Sequence, residues 1–447
     1  MSQNNHKTHP DPLGQPPGPS GPPPFPNPPA GPGIAPDTRR WIIVTIIFVA
    51  LMLNYIDRVT ISFLEKEIKE VFNLNNSGYA DIVNVFVICY AIMYVVSGWL
   101  IEKFGHGKGR SRFMFGFIMV WSLACGAAAF MRTAFTFGIT RAILGAAEPG
   151  PYAVLIRVMT EWFPKKLRAT AYNISSAGGT VGMVLAAPLL VWLKETYDWH
   201  AAFIVPAVLG IIIAFLWLGF YRNPPEAIRA ANTGGAGDSV SFSWPQLWRT
   251  KTLWGIILIR FISDPVWYFC LFWLPYYLKS PGVGLTEKQV GMFGAIPFLA
   301  AAIGSIGAGM ASDHLVRKGV NSLRARKIFL TALACLMPVF ALTPFIKNPV
   351  AVIAIFSLVC AICLTWLFLA PLCLTDTLPS RNTSSALGIA AGLGAIGAMI
   401  FNKYAGHAFD TIGPVPIFAI MGFLHLVATC ALWPMMRKET PPPAAAA

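Results

Sequence analysis

Apolar residues fall in twelve runs of about 20 or more, at roughly 41–63, 80–101, 112–131, 134–158, 169–193, 201–221, 252–278, 288–312, 327–346, 349–375, 383–407 and 413–436. A helix of about 20 apolar residues crosses the hydrocarbon core, so each run predicts a membrane-spanning helix. No run alternates with the period of two that a barrel strand requires. Several contain internal prolines, among them Pro188, Pro206, Pro265, Pro297 and Pro371, which membrane helices tolerate because neighbours re-satisfy the freed backbone groups. The fourth run breaks the apolar pattern with Arg141 and Glu148. A charge at the centre of a span costs about 2.5–3.5 kcal/mol on insertion scales unless it is paired or meets water. Seven residues make almost two helical turns, placing both side chains on one stripe roughly 10 Å apart along the axis. That arrangement implies a polar path through the bilayer.

Composition strengthens this picture: 55% of residues are hydrophobic, 12% are charged, and mean hydropathy is +0.59. A water-soluble fold is excluded on those terms. The formal charge of +14 would suggest nucleic acid in a soluble chain, but its placement gives another reason. With the amino terminus in the cytoplasm, inner loops and membrane-proximal tails hold 21 basic residues and outer loops hold 7. The positive-inside rule then puts both termini in the cytoplasm of a multi-pass protein of the cell's inner (plasma) membrane, with no nucleic-acid partner.

Residues 10–36 contain 13 prolines with interspersed Gly and Ser, a composition that cannot bury a core. Residues 1–38 are therefore predicted to form a disordered cytoplasmic tail, with no cleaved signal peptide and the first span serving as the insertion signal. All eight cysteines lie in apolar runs, as buried hydrophobes do. Cys360-Ala-Ile-Cys363 lacks a second ligand pair, so neither a metal nor a disulfide is expected. No Ser, His and Asp set emerges, which argues against an enzyme.

The polar segment 222–251 divides the chain, and internal repetition supports the division. Gly98-Trp-Leu-Ile-Glu102 after the second span matches Gly309-Met-Ala-Ser-Asp313 after the eighth. Glu161-Trp-Phe-Pro164 after the fourth matches Asp376-Thr-Leu-Pro379 after the tenth at nearly the same offset. Such duplication builds two bundles with a site between them at the midplane. The expected fold is an all-α integral membrane protein with twelve transmembrane helices in two pseudo-symmetric six-helix bundles, 39–221 and 252–436. A cytoplasmic linker, 222–251, joins them, and a short tail, 437–447, follows.

The motifs add a family likeness. Asn54-Tyr-Ile-Asp57-Arg58, Arg141-Ala-Ile-Leu-Gly-Ala-Ala-Glu148-Pro-Gly, Glu161-Trp-Phe-Pro164-Lys-Lys-Leu-Arg168-Ala and Arg260-Phe-Ile-Ser-Asp264-Pro-Val-Trp267-Tyr-Phe-Cys-Leu-Phe-Trp273-Leu-Pro275 resemble the major facilitator superfamily over about residues 39–438. Within it the chain is similar to the hexuronate and sugar-acid branch of the anion:cation symporter family. It departs from that pattern at Gly178-Gly179-Thr180, where some members carry an amide, and at the stiff Pro149-Gly150-Pro151.

The resemblance implies a secondary transporter, and depth estimates bear on its residues. Asp57 lies roughly 25 Å up the first helix, Arg141 about 10 Å down the fourth, and Glu148 and Asp264 near the middle of the membrane. Arginine offers a carboxylate a two-pronged, permanently charged partner, so Arg58 and Arg141 are the expected anion binders. Asp57, Glu148 and Asp264 are the expected proton-coupling carboxylates, because a substrate competing for an arginine frees the carboxylate beside it. Tyr55, Tyr90, Trp267, Trp273 and Tyr276 are expected to give a polyol hydroxyl bonds and flat surfaces. Each has a structural alternative: Asp57 and Arg58 as an interfacial pair, Arg141 and Glu148 as a fixed charge pair, and Arg260 with Asp264 as a local i,i+4 pair. The expected function is a proton-coupled importer of a monocarboxylate sugar acid such as a hexuronate or hexonate. It would work by alternating access as a monomer in the lipid bilayer, with protons as coupling ion and no cofactor. The alternatives are another organic anion (aromatic acid or dicarboxylate), export, or a membrane anion sensor.

Overall fold

The computed structural model describes residues 36–105, 109–233, 242–378 and 380–438. The proline-rich segment through residue 35, part of the linker and the last nine residues lie outside the described residues, as do the side chains of Glu102 and Asp313. The described residues are helical, without strands.

The first half comprises α1 (Pro36–Phe63), a short α2 (Glu65–Phe72), α3 (Asn76–Phe104), α4 (Gly109–Ala128), α5 (Ala134–Ala147), α6 (Gly150–Trp162), α7 (Lys165–Thr196) and α8 (Ala201–Phe220). Two short helices lie in the linker, α9 (Glu226–Thr233) and α10 (Trp244–Trp248). The second half comprises α11 (Lys251–Lys279), α12 (Glu287–Phe293), α13 (Ile296–Arg317), α14 (Ser322–Ala334), a 3₁₀ helix (Met337–Phe345), α15 (Pro349–Thr377), α16 (Ser380–Thr411) and α17 (Val415–Met435).

Eleven of the twelve predicted spans are long and apolar enough to cross a membrane as they stand. The fourth run is not the single helix the pattern predicts: it is α5 followed by α6, end to end. Pro149 and Pro151 carry no N–H, so the carbonyls of Gly145 and Ala147 lose their i+4 donors, and the Tyr152 N–H turns to the Pro149 carbonyl. The ninth run likewise tightens to 3₁₀ geometry where Pro338 and Pro344 fall. Pro297 starts α13 rather than lying within a helix, and separates it from α12.

The two halves repeat one packing scheme. α1 packs on α7, where a Cβ at Gly178 or Gly182 would collide with the carbonyl oxygens of Phe48 and Met52. In the second half α11 packs on α16 in the same way, with Gly397 against the Phe261 carbonyl. α3 with α5 corresponds to α13 with α15, and α4 with α8 to the 3₁₀ helix with α17. Glycine lets helix backbones approach where lipid gives no hydrophobic drive for association. Gly178 and Gly182 are close-packing positions. On α16 the close contacts fall at Gly394 and Gly397, while Gly388 has open space around it.

Side-chain bonds between the halves gather on the face opposite the described termini, the far side. Asp410 on α16 accepts from the Asn76 and Ser77 backbone N–H groups at 3.0 and 2.8 Å, capping α3. Asn402 donates to the Ala80 carbonyl and to Asn84 at 3.2 and 2.8 Å. Lys194 on α7 bridges Glu67 at 2.9 Å and Glu287 of α12 at 2.6 Å, while Lys279 reaches Glu65 and Glu287. The structure is closed on that side.

Candidate functional site

The break between α5 and α6 builds the site. With Tyr152 bonded to Pro149, the Glu148 carbonyl has no helical donor and instead accepts from Asn54 Nδ2 of α1 at 3.4 Å. This ties α1 to the break at the level of Arg58, one turn above Asn54. Arg58 Nε donates to Glu148 Oε2 at 2.9 Å, Nη2 lies 2.8 Å from the same oxygen, and Nη2 also donates to Asn54 Oδ1 at 3.3 Å. The guanidinium lies 4.6 Å from the Tyr55 ring and 4.5 Å from the Tyr90 ring. A desolvated cation between aromatic faces gains about 2 kcal/mol from each at the upper end. Gly179 leaves room for this stack, since a Cβ there would stand 2.6 Å from the Tyr55 ring. The amide missing at 178–180 is thus replaced by space for an aromatic ring.

Glu148 is fully buried, and its second oxygen, Oε1, has no hydrogen-bond partner among the described residues. Arg141 is also buried; its Nη1 and Nη2 point to the carbonyls of Asp57 and Arg58 at 3.5 and 3.4 Å, long contacts, and its Nε has no partner among the described residues. Its guanidinium faces Phe86 at 5.1 Å. Consecutive helical residues point about 100° apart, so Asp57 turns away from Arg58. It is buried inside the first half, where Oδ1 accepts from Cys125 Sγ at 3.3 Å and Trp121 lies within reach of the carboxylate. Two cations and two carboxylates therefore meet around one stretch of α1. The partner of Glu148 is Arg58 of α1, rather than Arg141 on its own run.

The remaining predicted residues lie elsewhere. Asp264 pairs with Arg260 on the same helix, Nε to Oδ2 at 2.7 Å. Trp267 packs edge-on against Phe298 of α13. Trp273 is fully buried and donates to Asn402 at 2.6 Å, and Tyr276 accepts from Asn76 at 3.2 Å. Both of these belong to the far-side closure, and no ring contact joins any of the three to Arg58 or Arg141 among the described residues. Sequence reasoning did not single out Asn54, although its i,i+4 spacing to Arg58 was a readable signal. It also missed Tyr152, which lies within electrostatic reach of Arg58, and Tyr268, which lies within reach of both Arg58 and Arg260. The closure residues Glu65, Glu67, Asn76 and Asp410 carried no motif.

The sequence profile of the Major Facilitator Superfamily matches residues 47–402. A hexuronate transporter of Escherichia coli (strain K12) is 27% identical over 416 residues, which cover 90% of this chain and 94% of its own length. A galacturonate transporter of Dickeya chrysanthemi is 28% identical over 312 residues, covering 67% of this chain and 89% of that one. A crystal structure of a D-xylose-proton symporter shares the fold with a TM-score of 0.71 at 14% identity, covering 88% of this chain and 97% of that one. The profile match runs from the first span to the eleventh, through both copies of the repeated helix packing, and on that ground the chain belongs to the Major Facilitator Superfamily, a family of transporters.

Proposed function

We propose that this multi-pass transporter is a proton-coupled symporter that imports a monocarboxylate sugar acid, a hexuronate or hexonate. The observation that carries the reading is the buried Arg58–Glu148 pair between two tyrosine rings. A substrate carboxylate competes with Glu148 for the Arg58 fork, and a proton on Glu148 releases that fork. With Arg58, Arg141, Glu148 and Asp57 all ionised the cluster has no net charge; protonating one carboxylate leaves one positive charge for a monoanion. Tyr55, Tyr90 and Tyr152 offer hydroxyls to the polyol. The two named relatives described above act on uronic acids, which supports the substrate class.

In this reading both termini are cytoplasmic, the membrane is the plasma membrane, and the far-side closure is the outer gate, so the site faces the cytoplasm. Rocking of the two halves opens the gate by separating Lys194 from Glu287 and Asn76 from Asp410. Arg260 with Asp264 is the second polar pair of the transport path, and Asp264 is its second proton carrier. Uptake into reconstituted vesicles under an imposed pH gradient, screened across sugar acids, tests the proposal: accumulation of a hexuronate or hexonate that collapses with a protonophore supports it, and uptake indifferent to the gradient overturns it. A second reading, a dicarboxylate substrate, rests on Arg260 as a cation of the second half near Tyr268. It requires aldarates to outcompete monoacids in the same screen.

A further inference from the structure

α3 and α4 both lie against α5 but scarcely touch each other, so a groove opens over α5 on the flank of the first half. Its cavity volume is about 640 Å³, and it holds none of the residues of the central site. The floor is made of small side chains, Ala146 and Ala147 of α5 and Gly116 of α4, and a Cβ at Gly116 would meet nothing within 4 Å. The rims carry Val120 and Ile143, both exposed within spanning helices, so the groove opens to the bilayer. From Met93 to Phe104 the α3 wall rises about 16 Å, the depth of one leaflet.

One lining residue is charged. Arg112 stands at the terminus-side mouth, is exposed, and pairs with no acid among the described residues. Beside it, Lys103 lies over the rings of Trp99 and Phe104 at 5.0 and 5.3 Å, also without an acid. Two unpaired cations and an aromatic girdle at the mouth of an apolar slot one leaflet deep match an anionic headgroup with its acyl chain. We propose that this groove is a binding site for an anionic phospholipid of the leaflet on the side of the termini. The acyl chain lies along Gly116 and the phosphate meets Arg112. The floor ends at Ala147, next to Glu148, so the bound chain packs against the back of the α5–α6 break.

Full-length protein in phosphatidylethanolamine vesicles, doped with phosphatidylglycerol or phosphatidylcholine carrying the same photoactivatable acyl chain, gives the test. After illumination, adducts are mapped by mass spectrometry. The wild type is expected to label within 109–120 at least threefold more with phosphatidylglycerol than with phosphatidylcholine. Gly116→Phe fills the slot and removes the label for both lipids, whereas Arg112→Gln keeps the label and brings the ratio to about one. Arg112 is exposed, so that second variant reads the headgroup preference without disturbing packing. Equal labelling by the two lipids in the wild type, or labelling that survives Gly116→Phe, overturns the proposal.

Discussion

Among the buried arginine–carboxylate pairs of the described residues, Arg58–Glu148 in the first half and Arg260–Asp264 in the second are built differently. Arg260 and Asp264 are four residues apart on α11, so the helix alone sets their geometry and the pair survives any movement of that helix. α16 seals it: a Cβ at Gly394 would stand 2.7 Å from Asp264 Oδ2. Arg58 and Glu148 come from different helices, and their contact depends on how α1 meets the α5–α6 break. Tyrosine rings rather than a backbone flank that pair. A local pair can gain or lose a proton but keeps its place; a pair between elements is a contact that a competing ligand can exchange. In the first half that exchange is the proposed coupling step.

The comparison breaks most sharply at the arginines of the first half. Arg141→Ala is expected to abolish substrate binding, with expression near normal, because the side chain makes only long contacts to α1 carbonyls. Lysine should rescue poorly for want of the fork. Arg58→Ala strands Glu148, and losing one partner of a buried pair costs about 3–5 kcal/mol, so thermal stability in detergent should fall as well. Near-wild-type affinity in the Arg141 variant, by equilibrium binding, would remove it from the site.

Asp264→Asn sharpens the contrast. It should lower gradient-driven accumulation severalfold while leaving substrate affinity within about threefold, since among the described residues no contact joins Asp264 to the tyrosine-flanked arginine; a binding isotherm separates the two effects. If the dicarboxylate reading holds, Arg260→Ala raises KM for aldarates and spares monoacids. Tyr90→Ala removes one face of the Arg58 stack, worth about 0.5–2 kcal/mol, so KM should rise about two- to thirtyfold with little change in stability. The smallest effect is expected at the far-side closure. Lys194→Gln breaks two partly exposed pairs of about 0.2–1 kcal/mol each, so a thiol introduced at position 402 should react with an impermeant reagent only a few times faster.

The architecture was legible because a membrane demands long apolar helices, and twelve such runs leave few alternatives. The break in the fourth run was also written in the chain, as Pro149-Gly150-Pro151, but apolar content alone runs across it. The partner of Glu148 was not legible, since it depends on the rotation of α1 about its axis, which no local pattern states. For Trp267 and Tyr276 the helix could have warned: nine residues at about 100° each place them on opposite faces of α11, so one cavity does not hold both. The closure residues escaped notice because Lys194, Glu67 and Glu287 look like ordinary loop-end charges until the two halves are brought together.

The most direct test of the account is Glu148→Gln in reconstituted vesicles, with exchange and accumulation measured side by side. Glutamine mimics the protonated carboxyl and leaves the Arg58 fork free for the substrate. The account predicts substrate exchange across the membrane at near-normal rates and no accumulation driven by a pH gradient. Full gradient-driven accumulation by that variant would contradict it.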